Sequence, residues 1–417
     1  MREHELRHIV DDEIHNRPPL KISAPGRVIF FAWLLDDDDK IGFDPAIQRV
    51  LEAVNAPPPL PDTPQVIGGD QQIQIKWERH SEFETMTLVE AADTPEVKLQ
   101  SEKLVSLLDV HAGSLLVACR IPVLSGDAPP SVKYIRNLIG AEGLVGAGLT
   151  GGKAQVWTDF KIHEDCFSTM ALWLDDISPS RAGRTIQRLL EIETYRMMAM
   201  LGFPVARAAH KALNRIEKSL STIVNEVGFD ELDLAELKRW FDQLQGVSAE
   251  ASRVIDQSEY RLSATEAYAA IVSKRLVDIR EQRLSGLTRL SVFLDRRMGP
   301  AMATCQSVRQ RQEKLMRRID SASSMFRARI EIAMGLQDHD ILHTIKVNAE
   351  RQVKLQRTVE GLSVVAVSYY LLSIIGIITK GGEKAGLFEG WEIISALIAP
   401  LAIGAVWIFL RRIQKKL

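Results

Sequence analysis

"TVEGLSVVAVSYYLLSIIGIITKGG", Thr358 to Gly382, decides how this chain of 417 residues is read. Between Glu360 and Lys380, the run Leu362 to Thr379 carries no charge. As an α-helix rising about 1.5 Å per residue it reaches roughly 27 Å, close to the hydrocarbon thickness of a bilayer. A second uncharged run, "IISALIAPLAIGAVWIFL" (Ile393 to Leu410), follows thirteen residues later. Its interior Pro400 is tolerated better in a membrane helix than in a soluble one. Trp391 and Trp407 stand near its ends, where interfacial aromatics are favoured. The pair reads as a transmembrane hairpin, 362–379 and 393–410.

The flanks orient it. Arg351, Lys354 and Arg357 precede the first run and Arg411, Arg412, Lys415 and Lys416 follow the second, while the loop between holds only Lys380 and Lys384. By the positive-inside rule both ends of the hairpin face the cytoplasm. "MREHELRHIVDDEIHNRPPL" at the start has no apolar segment of the secretory kind, so the bulk of the chain is expected inside as well.

Working back from the hairpin, a stripe runs along the helix that enters it. Ile341, Ile345, Asn348, Gln352, Leu355, Val359, Leu362, Ala366, Tyr369, Ser373 and Gly376 succeed one another at alternating steps of four and three. One face thus continues from cytosol into bilayer, and it wants a partner along its length. That partner is either the second span and bundle of the same chain or another subunit. Asn348 and Gln352 are polar at seam positions, which suits a register-setting pair or a water-lined axis. Ala366, Tyr369, Ser373 and Gly376 are small or hydroxylated, whereas the second span is mostly aliphatic. The first span is therefore expected to be the inner helix, with Asn348, Gln352, Val359, Leu362, Ala366, Tyr369, Ser373 and Gly376 along a pore or oligomer axis.

Upstream, the texture divides near Ser178. Residues 1–178 read as an α+β cytosolic domain with a mainly antiparallel sheet. Strand-like runs are Arg27 to Leu35, Gln71 to His80, Phe83 to Ala91, Ser114 to Leu124, Ala154 to Ile162 and Phe167 to Leu174, with helices at Asp44 to Val54 and Val97 to Leu108. "GLTGGK" (Gly148 to Lys153) lacks phosphate-loop spacing and reads as a hairpin turn. Residues 179–360 read as a bundle of long charged helices, with breaks at "GFP" (202–204), "VGFD" (227–230) and "MGP" (298–300) and N-caps at Asp230 and Ser263. Residues 361–417 are the hairpin and its basic tail.

A net charge of −2 argues against a nucleic-acid partner. Cys119, Cys166 and Cys305 lie far apart, with neither disulfide nor zinc spacing. Metal candidates are few. Asp36, Asp37, Asp38 and Asp39 could gather a hard divalent cation, although adjacent side chains of an extended segment point apart. His339 and His343 stand i,i+4 on one helix, a chelating spacing that lacks a third ligand. Glu193 and Arg196 are spaced for an intrahelical pair. No nucleophile elbow or metalloprotease box is present, so neither an enzyme nor an organic cofactor is expected, a divalent cation being the one group to consider.

Two resemblances follow from these residues. "DDEIHNRPP", "WERHSEF", "EIETYR", "RLSATEAY", "DRRMGPAMATCQSV" and "LQRTVEGLSVVAVSYY" together look like an uncharacterised bacterial family of predicted membrane-anchored proteins, domain of unknown function 3422. The build as a whole resembles the CorA family of magnesium channels: an α/β domain, long helices, one helix running into the first span, a short outer loop and a second span ending in "RRIQKK". That resemblance implies a homo-oligomer, a pentamer in CorA, whose inner helices line a cation pathway. The chain departs from it where CorA carries Gly-Met-Asn, since Gly376 to Gly382 reads "GIITKGG". The expectation is an oligomeric inner-membrane protein conducting an ion such as a divalent cation, or alternatively a non-conducting membrane-anchored scaffold or sensor.

Overall fold

The computed structural model describes residues 18–35, 44–59, 64–92, 94–229, 233–384 and 391–414, with isolated positions beside them. The chain divides into two compact units: Met1–Gly228 with Asp242–Ser321, and Phe229–Phe241 with Ala322–Leu417.

In the first unit, runs rich in β-branched and aromatic residues pair into one sheet. Its strands are β1 (Gly26–Leu34), β2 (Gln65–Gly69), β3 (Ile73–Arg79), β4 (Phe83–Glu90), β5 (Ser114–Ser125), β6 (Val145–Leu149), β7 (Ala154–Thr158), β8 (Ser168–Leu174) and β9 (Gln282–Arg283). The order is β2-β3-β4-β1-β5-β8-β7-β6-β9. Hairpins account for most of it, including the expected β6–β7 turn over Gly148 to Lys153. The sheet is nevertheless mixed, because β5 and β8 pair in parallel. The segment between them is long enough for a crossover, which a parallel pair requires.

Alternation along β1 supplies both faces. Ile29, Phe31 and Trp33 join Ile75, Trp77, Met86 and Leu88 beneath α1 (Pro45–Ala53) and α2 (Pro95–Leu107), while α3 (Val132–Ile139) seats Ile135 and Ile139 against Trp157 and Trp173. Val28 and Phe30 face the opposite way, into a core with Ile186 and Leu189 of α4 (Pro179–Met200). Helix α4 lies close because Gly183 faces the Leu20 carbonyl, where a Cβ would sit 1.8 Å from the oxygen. The expected strands and the first two helices are thus present within a residue or two, except that β7 stops at Thr158, four residues before the expected Ile162.

Three long helices follow: α5 (Gly202–Phe229), α6 (Leu234–Asp278) and α7 (Leu290–Lys384). Within the first unit they are packed as coiled-coil seams. Buried positions on α5 run Ala206, Ala209, Leu213, Ile216, Leu220 and Ile223, and on α7 Leu294, Met298, Ala301, Cys305, Val308, Gln312, Leu315 and Ile319. Helix α6 contributes every seventh residue, Leu244, Ala251, Ser258, Thr265 and Val272. One polar pair sits inside, Gln312 Nε2 donating to Ser258 Oγ at 2.8 Å, a device that fixes register in such seams.

The expected breaks are met at Gly202 and near Val227, but not at "MGP", since α7 continues through Pro300. Buried neighbours on both sides, Met298 and Ala301, hold that turn in the seam, so packing outweighs the lost backbone hydrogen bond. The real stop lies earlier, at Arg280, whose φ of +48° ends α6. Ser263 is an interior residue of α6 rather than a cap, because the heptad seam carries the helix across it. Asp230 lies outside the described residues. In the second unit α6 begins instead with a capping box at Asp233: its Oδ1 accepts the Glu236 N–H at 2.7 Å, and Glu236 accepts the Asp233 N–H at 3.2 Å. The second unit is completed by the end of α7 and by α8 (Trp391–Gln414).

Candidate functional site

Hydroxyls and small residues decide how the two C-terminal helices meet. Ser368 and Thr379 on α7 and Ala402 and Val406 on α8 are buried, flanked by half-buried Val364, Leu371, Leu372 and Ile375. Thr379 satisfies its hydroxyl within its own helix, donating to the Ile375 carbonyl at 2.9 Å. The Ser368 hydroxyl has no hydrogen-bond partner among the described residues.

The residues of the expected axis lie on a different face. Asn348, Gln352, Val359, Leu362, Ala366, Tyr369 and Ser373 are exposed, and Gly376 is half-buried. On a helix turning about 100° per residue, Leu362 to Gly376 of this stripe are centred roughly 130° from the face that receives α8. Of the two partners the sequence left open along the apolar run, the chain's own second helix does not occupy the stripe. The apolar window of α7 is long enough to cross a membrane by length and composition, and only 6% of it is buried. Ala396–Phe409 of α8 is a shorter apolar segment. Before the apolar window, from 331 to 360, every residue but Ala333, Val347 and Glu360 is exposed.

His339 and His343 lie on this exposed stretch. No group of three or more His, Cys, Asp or Glu poised for a metal occurs among the described residues, and Asp36, Asp37, Asp38 and Asp39 fall outside them.

The sheet domain holds polar chemistry that sequence reasoning passed over. A cavity of about 330 Å³ opens between β3, β4 and α4. Register places Lys76 opposite Thr87 and Glu78 opposite Thr85, on the sheet face turned toward α4. Lys76 Nζ meets Glu78 Oε1 at 2.8 Å, while the hydroxyls of Thr85 and Thr194, both lining residues, have no partner among the described residues. Arg275 pairs with Glu191 at the rim. Net charge is balanced here, with unspent hydrogen-bonding capacity, as in sites for small polar molecules. The signal was present as polar residues at alternate positions of "QIKWERH" and "FETMT", which a sequence reader assigns to solvent.

Glu193 and Arg196 do form the expected pair, with Arg196 Nε and Nη2 on the two carboxylate oxygens at 2.7 and 2.6 Å. Ser168 Oγ donates to the same carboxylate at 2.9 Å. Burial, and then the nearby Glu193 carboxylate, push the Cys119 thiol far up. A thiol so held is packing, not a nucleophile.

Fold and site define a class: a sheet domain carried on long coiled helices that end in an exposed apolar pair. The chain belongs to the family described as "Protein of unknown function (DUF3422)", whose model matches residues 2–417. No curated protein and no solved structure matches it.

Proposed function

We propose that the chain is an oligomeric protein of the bacterial inner membrane, anchored by the α7–α8 pair with both ends on the cytoplasmic side, and that the stripe on α7 surrounds an axis along which a divalent cation passes. The observation that carries this reading is the division of α7 into two faces. Helix α8 takes the Ser368 and Thr379 face and leaves Ala366, Tyr369 and Ser373 open. A bare helix such as 331–360 draws no support from propensity alone, because helices in water owe most of their stability to packing. Further copies of the same chain supply that packing and extend it into the bilayer, as the CorA-like build implies.

The alternative is a non-conducting anchored scaffold or sensor, and the cavity beside Lys76 and Thr194 is the observation that favours it. The full chain in detergent separates the two. A ring of three or more copies by light scattering is expected, and a stable monomer removes the shared axis. Vesicles loaded with a divalent-cation dye then read conduction. Flux of magnesium or cobalt, changed by Asn348→Leu far more than by Val347→Leu, supports the pathway; no flux from a well-assembled ring selects the sensor. Cysteines at Lys384 and after the last residue test orientation in intact cells: labelling only at Lys384 is expected, and labelling only at the chain end overturns it.

A further inference from the structure

Several arginines of the first unit meet a carboxylate: Arg27 with Glu90, Arg196 with Glu193, Arg261 with Glu82, Arg275 with Glu191, Arg311 with Glu217. Four that lie together have no carboxylate partner among the described residues. Arg181, Arg184 and Arg188 lie on one face of α4, at steps of three and four, and Arg280 reaches the same place from the end of α6. With Thr150 of the β6–β7 turn and Thr185 they line a concavity of about 370 Å³. Its one carboxylate, Asp278, already accepts from Arg275 Nη1 at 3.1 Å.

Each feature of this cluster works against stability. Like charges three and four residues apart on a helix repel. The first turn of α4 contains no acidic residue, so Arg181 and Arg184 stand near the positive end of the helix dipole without an opposing charge. Arg280 occupies a left-handed backbone position that glycine or asparagine takes at least cost. An arrangement unfavourable in three ways becomes favourable when an anion fills the concavity. Guanidinium forks match phosphate oxygens two at a time, and four of them exceed the charge of a single phosphate. No aromatic side chain lines the concavity, so the phosphates and not a base are what it recognises.

We infer that the concavity between α4, the end of α6 and the β6–β7 turn binds an anion carrying more than one phosphate group. This site is independent of the membrane reading. The probe is inorganic pyrophosphate, titrated calorimetrically into the full chain in detergent at two salt concentrations. Saturable binding at one site per chain is expected, weakening at the higher salt, with a rise in melting temperature on binding. Arg184→Gln with Arg188→Gln should weaken binding at least tenfold while leaving the unliganded melting temperature unchanged or higher, because repulsion is relieved. A merely structural role for these arginines predicts the reverse, a lower melting temperature. The charge-preserving pair Arg184→Lys with Arg188→Lys should lie between, having lost the forks alone. Equal pyrophosphate affinity in wild type and the glutamine pair, or no saturable binding by wild type, overturns the site. Nanodiscs separate the possible sources. Competition by phosphatidylglycerol discs but not phosphatidylcholine discs assigns the anion to lipid headgroups, and equal pyrophosphate binding in both assigns it to a soluble polyphosphate; either result retains the site.

Discussion

Glu90 in the sheet domain is completely buried, whereas Leu362 on α7 is 74% exposed. Each inverts the ordinary preference of its residue type, and the inversions differ in kind. Glu90 is satisfied where it lies: Arg27 grips both carboxylate oxygens at 2.7 and 2.9 Å, and the Ser101 hydroxyl donates to one of them. Glu84, on the same strand, accepts from Trp77 Nε1 at 3.0 Å and from His111 Nε2 at 2.7 Å. The His111 Nδ1 accepts the Gly113 N–H, so the ring proton sits on Nε2 and points at Glu84. Nothing comparable resolves the apolar surface of α7, where Ile341, Val353, Leu355, Val359, Leu362 and Tyr369 are all exposed. One region has completed its chemistry inside the chain. The other leaves its apolar surface uncovered within the chain, and the proposed membrane assembly is one way to cover it.

The largest effect is expected in the apolar window. Val367 is 48% exposed and lies on neither the α8 contact nor the stripe. An arginine near the middle of a membrane helix costs about 3 kcal/mol in insertion, roughly a hundredfold in the distribution. Val367→Arg should therefore shift the chain out of the membrane fraction in carbonate extraction. On a water-facing helix the same change falls within about 0.5 kcal/mol, and an unaltered distribution would remove the bilayer from the account.

In the sheet domain the corresponding break is Glu90→Ala. It leaves the partly buried Arg27 guanidinium without its partner, and removing one member of such a pair costs about 3 kcal/mol. Thermal or urea unfolding should show this loss, and Arg27→Met combined with Glu90→Leu should recover most of it. A double variant no better than Glu90→Ala would mean that the ion pair, and not merely its balanced burial, stabilises the sheet.

Much of this contrast can be read from the residues. Period-two runs place β1, β3, β4, β5, β7 and β8, because each alternates large apolar side chains. Strands β2 ("QVIGG") and β6 ("VGAGL") escape because glycine dilutes the alternation, and β9 is too short to carry any. Pro300 and Ser263 mislead for the same reason: local signals for a break or a cap are outweighed by seams of buried residues that only the packed helices reveal. The stripe from Asn348 to Gly376 is legible as a face in search of a partner. That α8 does not take it shows only in the folded chain, where Ser368 and Thr379 are the buried positions of this run. The arginine concavity was invisible, since Arg280 is separated in sequence from Arg181, Arg184 and Arg188 and joins them only through the fold.

The smallest effect is expected at the exposed edge of the sheet domain. Asp70, in the β2–β3 turn, accepts the N–H groups of Ile73 and Gln72, each at 2.8 Å. Those donors hold its carboxyl below the ordinary value of 3.8. A carboxylate with a depressed folded-state value stabilises the fold above the unfolded value, and the contribution disappears as pH falls through the folded one. Asp70→Asn should thus be slightly less stable than wild type at neutral pH, with the gap narrowing as pH falls below 3.8. Because Asp70 is solvent-exposed, the gap stays small beside that of Glu90→Ala. Unfolding midpoints measured across the acid range check this directly. A gap that stays constant with pH would assign the turn's stability to hydrogen-bond geometry, which asparagine alters, instead of to the charge.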